Sequence, residues 1–532
     1  MNGSLILLLH AHLPFVKHPE HEYSLEENWL FEAIRETYVP LIEMLERLAA
    51  KGLRPRIAMT VSPTLCEMLN DPMLRARFVR STENLINLSC SEMKRLRNTP
   101  LEEVAIFYNR KLKKILELYT ASYGQDIIKR LRRLQSEGVV EIIATSATHA
   151  FLPAFEHYPD LAQVQITAGI LSYKKNFGRA PSGFWLPECG YYRGLDALLK
   201  KEGIRYFFLE SHGLTKGTPK PRFGVSMPAV LTSGLVAFGR DSNSAKQVWC
   251  AETGYPGDYA YRDFYRDIGF DLTNDYIAKH TQINIQTFTG LKYHRITGKT
   301  QDKAIYERRL AIKKAKEHAA HFVKSRENDF RKIVHECKPV ILSAFDAELF
   351  GHWWFEGIEW LEYVLKAGSS KKLIFNTPRS YLKKATDQVL DVIEPAPSSW
   401  GFGGHNEFWI STRNKKYHKE LHAMSGKMRI LAEMNAAIGS KNSKKALLCK
   451  RLINQALREM LLAQSSDWLF LIENQRAEEY AKARLDRHIQ TFNKLFKMVQ
   501  SGEIALEAVE DAEKKDSVFG WMSIDDCYKC SA

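Results

Sequence analysis

Seven short apolar runs punctuate the first 350 residues, at 5–9, 57–61, 141–145, 184–186, 206–209, 236–238 and 340–344. Most are rich in β-branched or aromatic residues, the pattern of parallel strands buried on both faces. Between several of them, segments such as 34–48, 102–118 and 127–134 repeat apolar residues at helical spacing. Strand–helix alternation of this kind predicts a parallel sheet or barrel. The stretch 254–297 breaks the rhythm. It is rich in Tyr, Gly and Asp with weak periodicity, and reads as a long excursion from the barrel of the kind that often builds substrate sites. From 415 to 498 the pattern is helical, with no convincing strand. The remainder from Gly502 is acidic, then polar, and is expected to fray.

Length changes this picture little. The 532 residues allow two to four ordinary domains at roughly 100–200 residues each, or one barrel of about 250 residues or more with additions. Hydrophobic residues at 45% and charged residues at 26% exclude a disordered or fibrous chain. No run approaches the ~18 apolar residues of a membrane span, and no membrane partner is expected. The apolar run at 5–9 has no basic residues before it and leads straight into His10-Ala11-His12, unlike a signal peptide, so a cytoplasmic location is expected. Eight scattered cysteines fit a reducing compartment. Only Cys527 and Cys530 are close. With no second pair at zinc-like spacing they read first as an unpaired tail feature and second as a metal or redox pair. Lys+Arg 76 against Asp+Glu 62 leaves +14, which raises nucleic acid as a partner. The basic residues concentrate on helix surfaces, as at Arg130, Arg132 and Arg133, where a solvated face explains them; no nucleic-acid partner is expected.

Polar residues stand just past nearly every run: His10 and His12, Thr148 and His149, Glu188, Glu210 and His212, Arg240 and Asp241, Asp346 and Glu348. In a (β/α) barrel the carboxyl ends of the strands carry the active site. Glu188 and Asp346 each follow an apolar strand and sit among aromatics. Such a carboxylate is either a buried structural acid paired with a base, or one of the two acids that glycoside cleavage needs. Trp185, Trp249, Trp353, Trp354, Trp400 and Trp409 all fall in loop-like or strand-end contexts. Each is either core packing or a platform for a sugar ring. His10-x-His12 can hold a metal as in a metal-dependent polysaccharide deacetylase, hydrogen-bond sugar hydroxyls, or be structural.

Five ordered runs resemble the signature regions of glycoside hydrolase family 57, and within it the 1,4-α-glucan branching enzyme branch. They are HAHLPF (10–15), EIIATSATHAFLP (141–153), GFWLPECGYY (183–192), SAFDAELFGHWWFEG (343–357) and SSWGFGGHNEFW (398–409). GYPGDYAYRDFYRDIGFD (254–271) and LLAQSSDW (461–468) also look like this branch. The resemblance implies an incomplete seven-stranded (β/α)7 TIM-like barrel over residues 1–400, with an insertion at about 250–300, and an all-helical domain over 401–532 that contributes to the cleft. It implies a retaining double displacement on α-1,4-glucan (amylose, glycogen, maltooligosaccharides), with no metal or cofactor. Glu188 matches the nucleophile and Asp346 the general acid/base, whose pKa burial and the Glu188 charge should raise. His10, His12 and His149 match residues around the cleaved bond. Trp249, Trp400 and Trp409 match aromatics of the cleft, and Asp467 a polar residue from the helical domain; Trp29 and Arg240 match more weakly. A glucan 6-hydroxyl as acceptor makes a branch, and water makes an α-amylase; a 4-α-glucanotransferase is the remaining variant. Two departures bear on this. The loop 215–228 is short where branching members carry a long one, which favours water as acceptor. Glu210 stands where the family has Asp.

Overall fold

Each of the seven apolar runs forms a strand in the computed structural model, which describes residues 3–250, 253–333, 337–367, 373–386 and 388–528. In chain order the strands are β1 (Gly3–Ala11), β2 (Ile57–Val61), β3 (Val140–Thr145), β4 (Gly183–Trp185), β5 (Tyr206–Leu209), β6 (Ala229–Val230), β7 (Val236–Gly239), β8 (Val340–Asp346) and β9 (Leu373–Phe375). The sheet order is β6-β7-β5-β4-β3-β2-β1-β8, with β9 beside the start of β1. All pairings are parallel except β6 with β7. The two strands without a legible run, β6 and β9, are two and three residues long. The curled sheet is an incomplete barrel. Between β7 and β8 it closes through the backbone bond Asp241 N–H to Leu342 O, 2.9 Å, and the side-chain bond Ser343 to Ser244, 2.8 Å.

Alternation along β1 shows why these runs fold this way. Ile6 and Leu8 point inward with Ala58, Ile143, Phe208, Phe238 and Leu342 to fill the barrel. Leu5, Leu7 and Leu9 point outward under the surrounding helices. The period of two puts every second residue on each face, and both faces are covered, so both sets must be apolar. Each fully buried leucine contributes about 1.5–3 kcal/mol. Register then sets the chemistry: His10 lies opposite Thr60 of β2 and Asp346 of β8, all at the carboxyl end.

After the helix Ser242–Trp249 the chain leaves the barrel and returns at the helix Arg308–Lys332. The excursion holds short helices at Ile268–Asp271 and Asn274–Thr281. Arg262 anchors it, bonding to Glu36 at 2.9 Å with its guanidinium 3.9 Å from the centre of the Phe355 ring.

Four helices follow the barrel, Lys415–Ile438, Lys444–Ala463, Ser466–Asn474 and Glu478–Ser501. The stretch after Gly502 does not fray as expected. It forms the helix Leu506–Lys515, and Val509, Val518, Phe519, Met522 and Ile524 are buried. Charge obscured their spacing: the apolar residues are separated by Glu, Asp and Lys that face outward. Cys527 is buried, while Cys530 lies outside the described residues. No helix among the described residues is long and apolar enough to cross a membrane.

Candidate active site

Glu188 sits in the tight turn Pro187–Cys189 that follows β4. Its φ is +58° and that of Cys189 is +51°; His149, in the loop after β3, has φ +57°. Left-handed backbone costs a side-chain-bearing residue about 1–3 kcal/mol and persists only where the surroundings hold it. Here it turns the carboxylate back over the end of the barrel. Trp400 holds it there twice: its backbone N–H donates to Glu188 O at 2.8 Å, and its indole N–H donates to Oε2. The other oxygen, Oε1, accepts from Ser466 Oγ at 2.9 Å.

Ser466 belongs to the helical domain and ends a chain of hydrogen bonds that starts in the barrel. Thr60 Oγ1 bonds His10 Nδ1; His10 Nε2 bonds His149 Nε2 at 2.8 Å; His149 Nδ1 bonds Ser466 Oγ at 2.9 Å. Burial, together with the charge of nearby His12, holds His10 and His149 well below the ordinary imidazole pKa, so both rings are neutral. Each therefore carries one N–H. With Glu188 ionised, Ser466 must donate to it, and this assigns the rest: His149 donates from Nδ1, His10 from Nε2, and Thr60 to His10. Every hydrogen points toward the carboxylate. His12 differs. Burial pulls its pKa down, but Asp467 at 3.0 Å overcomes this and raises it. Its Nδ1 bonds Ser62 at 2.8 Å.

Asp346 ends β8 with a different environment. Burial pushes its carboxyl up to about 6, against the pull of Arg240 and His12, and no hydrogen bond from the described residues supports it. Burial is the larger part of the expected rise, and the repulsion between the two carboxylates acts in the same direction. Glu188 is pushed up to about 7, first by burial and then by Asp467 and Asp346, against its two donors. Glu348, beside them, is pushed up to about 8 by burial, so it is protonated at neutral pH and able to donate. Tyr38 donates to it. Arg240 pairs with Glu210 at 2.5 Å and lies 4.9 Å from the Trp400 ring centre.

One cavity of about 610 Å³ gathers His10, His12, His149, Glu188, Arg240, Trp249, Asp346, Trp400, Trp409 and Asp467. Trp29 is not brought into it; its helix Glu27–Ala33 turns the ring edge-on to Tyr480 of the helical domain, 6.0 Å away. Among the tryptophans, Trp185 and Trp354 are core, whereas Trp249 and Trp353 are 42% and 48% exposed at the cavity. Trp409 stacks on Phe151 and Phe470. Glu348 and Phe470 in the lining, and Thr60, Ser62 and Ser466 behind it, escaped assignment from sequence. For Ser466 a signal existed, since it adjoins Asp467 within a quoted motif, but a lone hydroxyl is too common to single out.

Among the described residues, two groups of side chains have the composition of metal ligands. His12, His149 and Asp467 bring ligand atoms within 4.8 Å of one another, but both nitrogens of each ring already serve protein hydrogen bonds. Buried Glu459, His488 and Asp516 do the same in the helical domain, where Arg487 occupies Asp516 at 2.8 Å and opposes a cation.

The sequence model of glycosyl hydrolase family 57 matches residues 6–393. The chain belongs to this family. A second model, described as the C-terminal part of 1,4-alpha-glucan branching enzyme, matches residues 420–526. A family-57 relative, a 1,4-alpha-glucan branching enzyme of Thermococcus kodakarensis, is 32% identical over 98% of this chain and 78% of its own length. The fold is similar to the alpha-amylase AmyC of Thermotoga maritima, at TM-score 0.91 and 37% identity with full coverage of both chains. It is also similar to a GH57-type branching enzyme of Pyrococcus horikoshii, at TM-score 0.88 and 30% identity, covering 100% of this chain and 98% of that one.

Proposed function

We propose that this family-57 chain is a retaining 1,4-α-glucan branching enzyme, with residues 1–400 as its catalytic unit and 401–532 as a helical unit reaching over the cleft. The observation that carries this reading is the convergence of Glu188 and Asp346 on one aromatic-lined cavity at the carboxyl ends of β4 and β8. Glu188 is the nucleophile and Asp346 the general acid/base. In the first step Asp346 gives its proton to the glycosidic oxygen as the bond to the anomeric carbon breaks, and a Glu188 oxygen bonds that carbon. The leaving chain departs with a new hydroxyl. In the second step Asp346 takes the proton of a glucan 6-hydroxyl, whose oxygen displaces Glu188 and forms the branch. His10, His12 and His149 hold the sugar at the cleaved bond, and Trp249 and Trp400 supply stacking faces; Trp409, expected to do the same, is 1% exposed and packed on Phe151 and Phe470, so it backs the wall instead. Amylose and glycogen are the substrates, in the cytoplasm.

A second reading, mainly hydrolytic, has its own observation. No residue of 215–228 lines the cavity. Thr218 exchanges backbone bonds with Glu394 at 2.9 and 2.8 Å, and Arg222 pairs with Asp391 at 2.6 Å, which ties this loop to the sheet edge. A covalent intermediate without a cover from this loop is open to water. Incubation of the pure protein with amylose distinguishes the two. Branching yields new short chains after enzymatic debranching with few new reducing ends; reducing ends that rise without new branches would make this chain an amylase.

A further inference from the structure

Trp353 faces two ways. Its ring lines the cavity and is 48% exposed, and it stacks on Phe264 of the excursion, with centroids 4.4 Å and planes 23° apart. From Phe264 the row continues to Phe288 at 5.9 Å and then to Phe270 at 5.0 Å. Tyr265, 73% exposed, stands 5.3 Å from Phe264, and Phe270 is 46% exposed.

The backbone under these rings is held firmly. Asp267 Oδ1 accepts from Gly269 N, Thr289 N and Thr289 Oγ1 at 2.8, 3.0 and 2.7 Å, and Oδ2 accepts from Gly290 N at 2.9 Å. These bonds tie the turn that carries Phe264 and Phe270 to the segment that carries Phe288. Asp263 accepts from the Tyr265 N–H at 2.8 Å. Buried Lys292 places its ammonium 3.9 Å and 4.7 Å from the centres of the Phe264 and Phe288 rings. Rings fixed in this way lose little freedom when a ligand stacks on them.

We infer that this row is a second binding surface for α-1,4-glucan, which receives the chain as it leaves the cavity over Trp353. The inference rests on the glucan reading of the cavity. Three features commit it to a sugar chain. The row is continuous with the cavity through a shared ring. Its exposed members are uncharged aromatics, whose faces match the C–H faces of glucose. Its exposed area, roughly 300–400 Å² from the usual size of such rings, is well short of the ~800 Å² per partner of a stable protein interface.

Native electrophoresis of the full chain through gels with and without dissolved amylopectin tests this. Tyr265→Ala/Phe270→Ala should weaken retardation by roughly tenfold in apparent Kd, the loss of two stacking faces. Cleavage of the short chain maltohexaose should stay within about twofold, which also shows that the variant is folded. Tyr265→Ser, at the most exposed of the rings, should show a smaller loss in the same direction. Undiminished retardation overturns the inference, as does an equal loss on both substrates, which would place the damage in the cavity. A wild-type dimer that dissociates in the double variant also overturns it, in favour of a second copy. Glu188→Ala should be retarded like wild type; if it keeps its activity the catalytic reading fails, while the retardation series still reads the surface.

Discussion

Glu188 and Asp346 face one cavity with opposite kinds of support. Glu188 stands on left-handed backbone, with a donor on each oxygen and a chain of four side chains behind one of them. Asp346 ends a regular strand, and among the described residues no hydrogen bond fixes its carboxyl. The contrast matches the two jobs proposed. A nucleophile must arrive at one carbon along one line, so fixing it lowers the barrier. A group that gives and then takes a proton gains nothing from donors that favour its ionised form.

Substitutions test that contrast, starting with the largest effect. Glu188→Ala should lower activity on amylose at least about 10⁴-fold, with natural and activated substrates affected alike, because no covalent intermediate forms. Near-wild-type turnover would remove Glu188 from the mechanism. Asp346→Asn should cost about 10²–10⁴-fold on amylose and much less on an α-glucoside with a phenol leaving group that needs no proton. Equal losses on both substrates would mean that Asp346 holds the sugar rather than serving as the acid.

Ser466→Ala removes a donor to a carboxylate and should cost roughly 10–100-fold in kcat. It should also move the alkaline limb of the pH profile, which Glu188 sets, upward, since the ionised form loses support; Ser466→Thr should restore both. An unmoved limb would make Ser466 a packing residue. In the wild type, kcat/KM should be bell-shaped with limbs near pH 6 and 7, the values to which Asp346 and Glu188 are pushed. Because Glu188 titrates higher, the form with Glu188 ionised and Asp346 protonated is the minor of the two one-proton states. A plateau extending above pH 8 would show that Asp346, not Glu188, keeps its proton to the higher pH.

The smallest effect is on stability. The folded pKa of Glu188 is raised above its unfolded value, so the native state holds the proton longer. Stability therefore falls as pH rises from about 4.5 and levels off above about 7. Glu188→Gln removes this and should be about 1–3 kcal/mol more stable than wild type at pH 8, with no gain at pH 4, by chemical denaturation. A gain of the same size at both values would trace to packing.

Much of this was legible in the chain. A parallel strand is an uninterrupted apolar run, and its carboxyl end is marked by the first polar residue, so residues such as His10 and Asp346 announced both fold and site. β6 and β9 were hidden because two or three residues carry no period. Ser466 was hidden for another reason: its role exists only where the helical domain meets the loop of His149, and neither local sequence records that meeting. Trp29 shows the converse. The resemblance matched it, weakly, to a residue of the cleft, yet the helix that carries it turns it toward Tyr480. The fraying expected after Gly502 failed because buried Val509, Phe519 and Ile524 are spread thinly among charges.

Ser466 reaches Glu188 from 278 positions further along the chain. A ribosome making this protein therefore completes every described strand of the barrel, both carboxylates included, before the hydroxyl that bonds Glu188 has been added. A chain that stops short of Ser466 carries both acids, yet it lacks the last link of the hydrogen-bond chain that ends on Glu188.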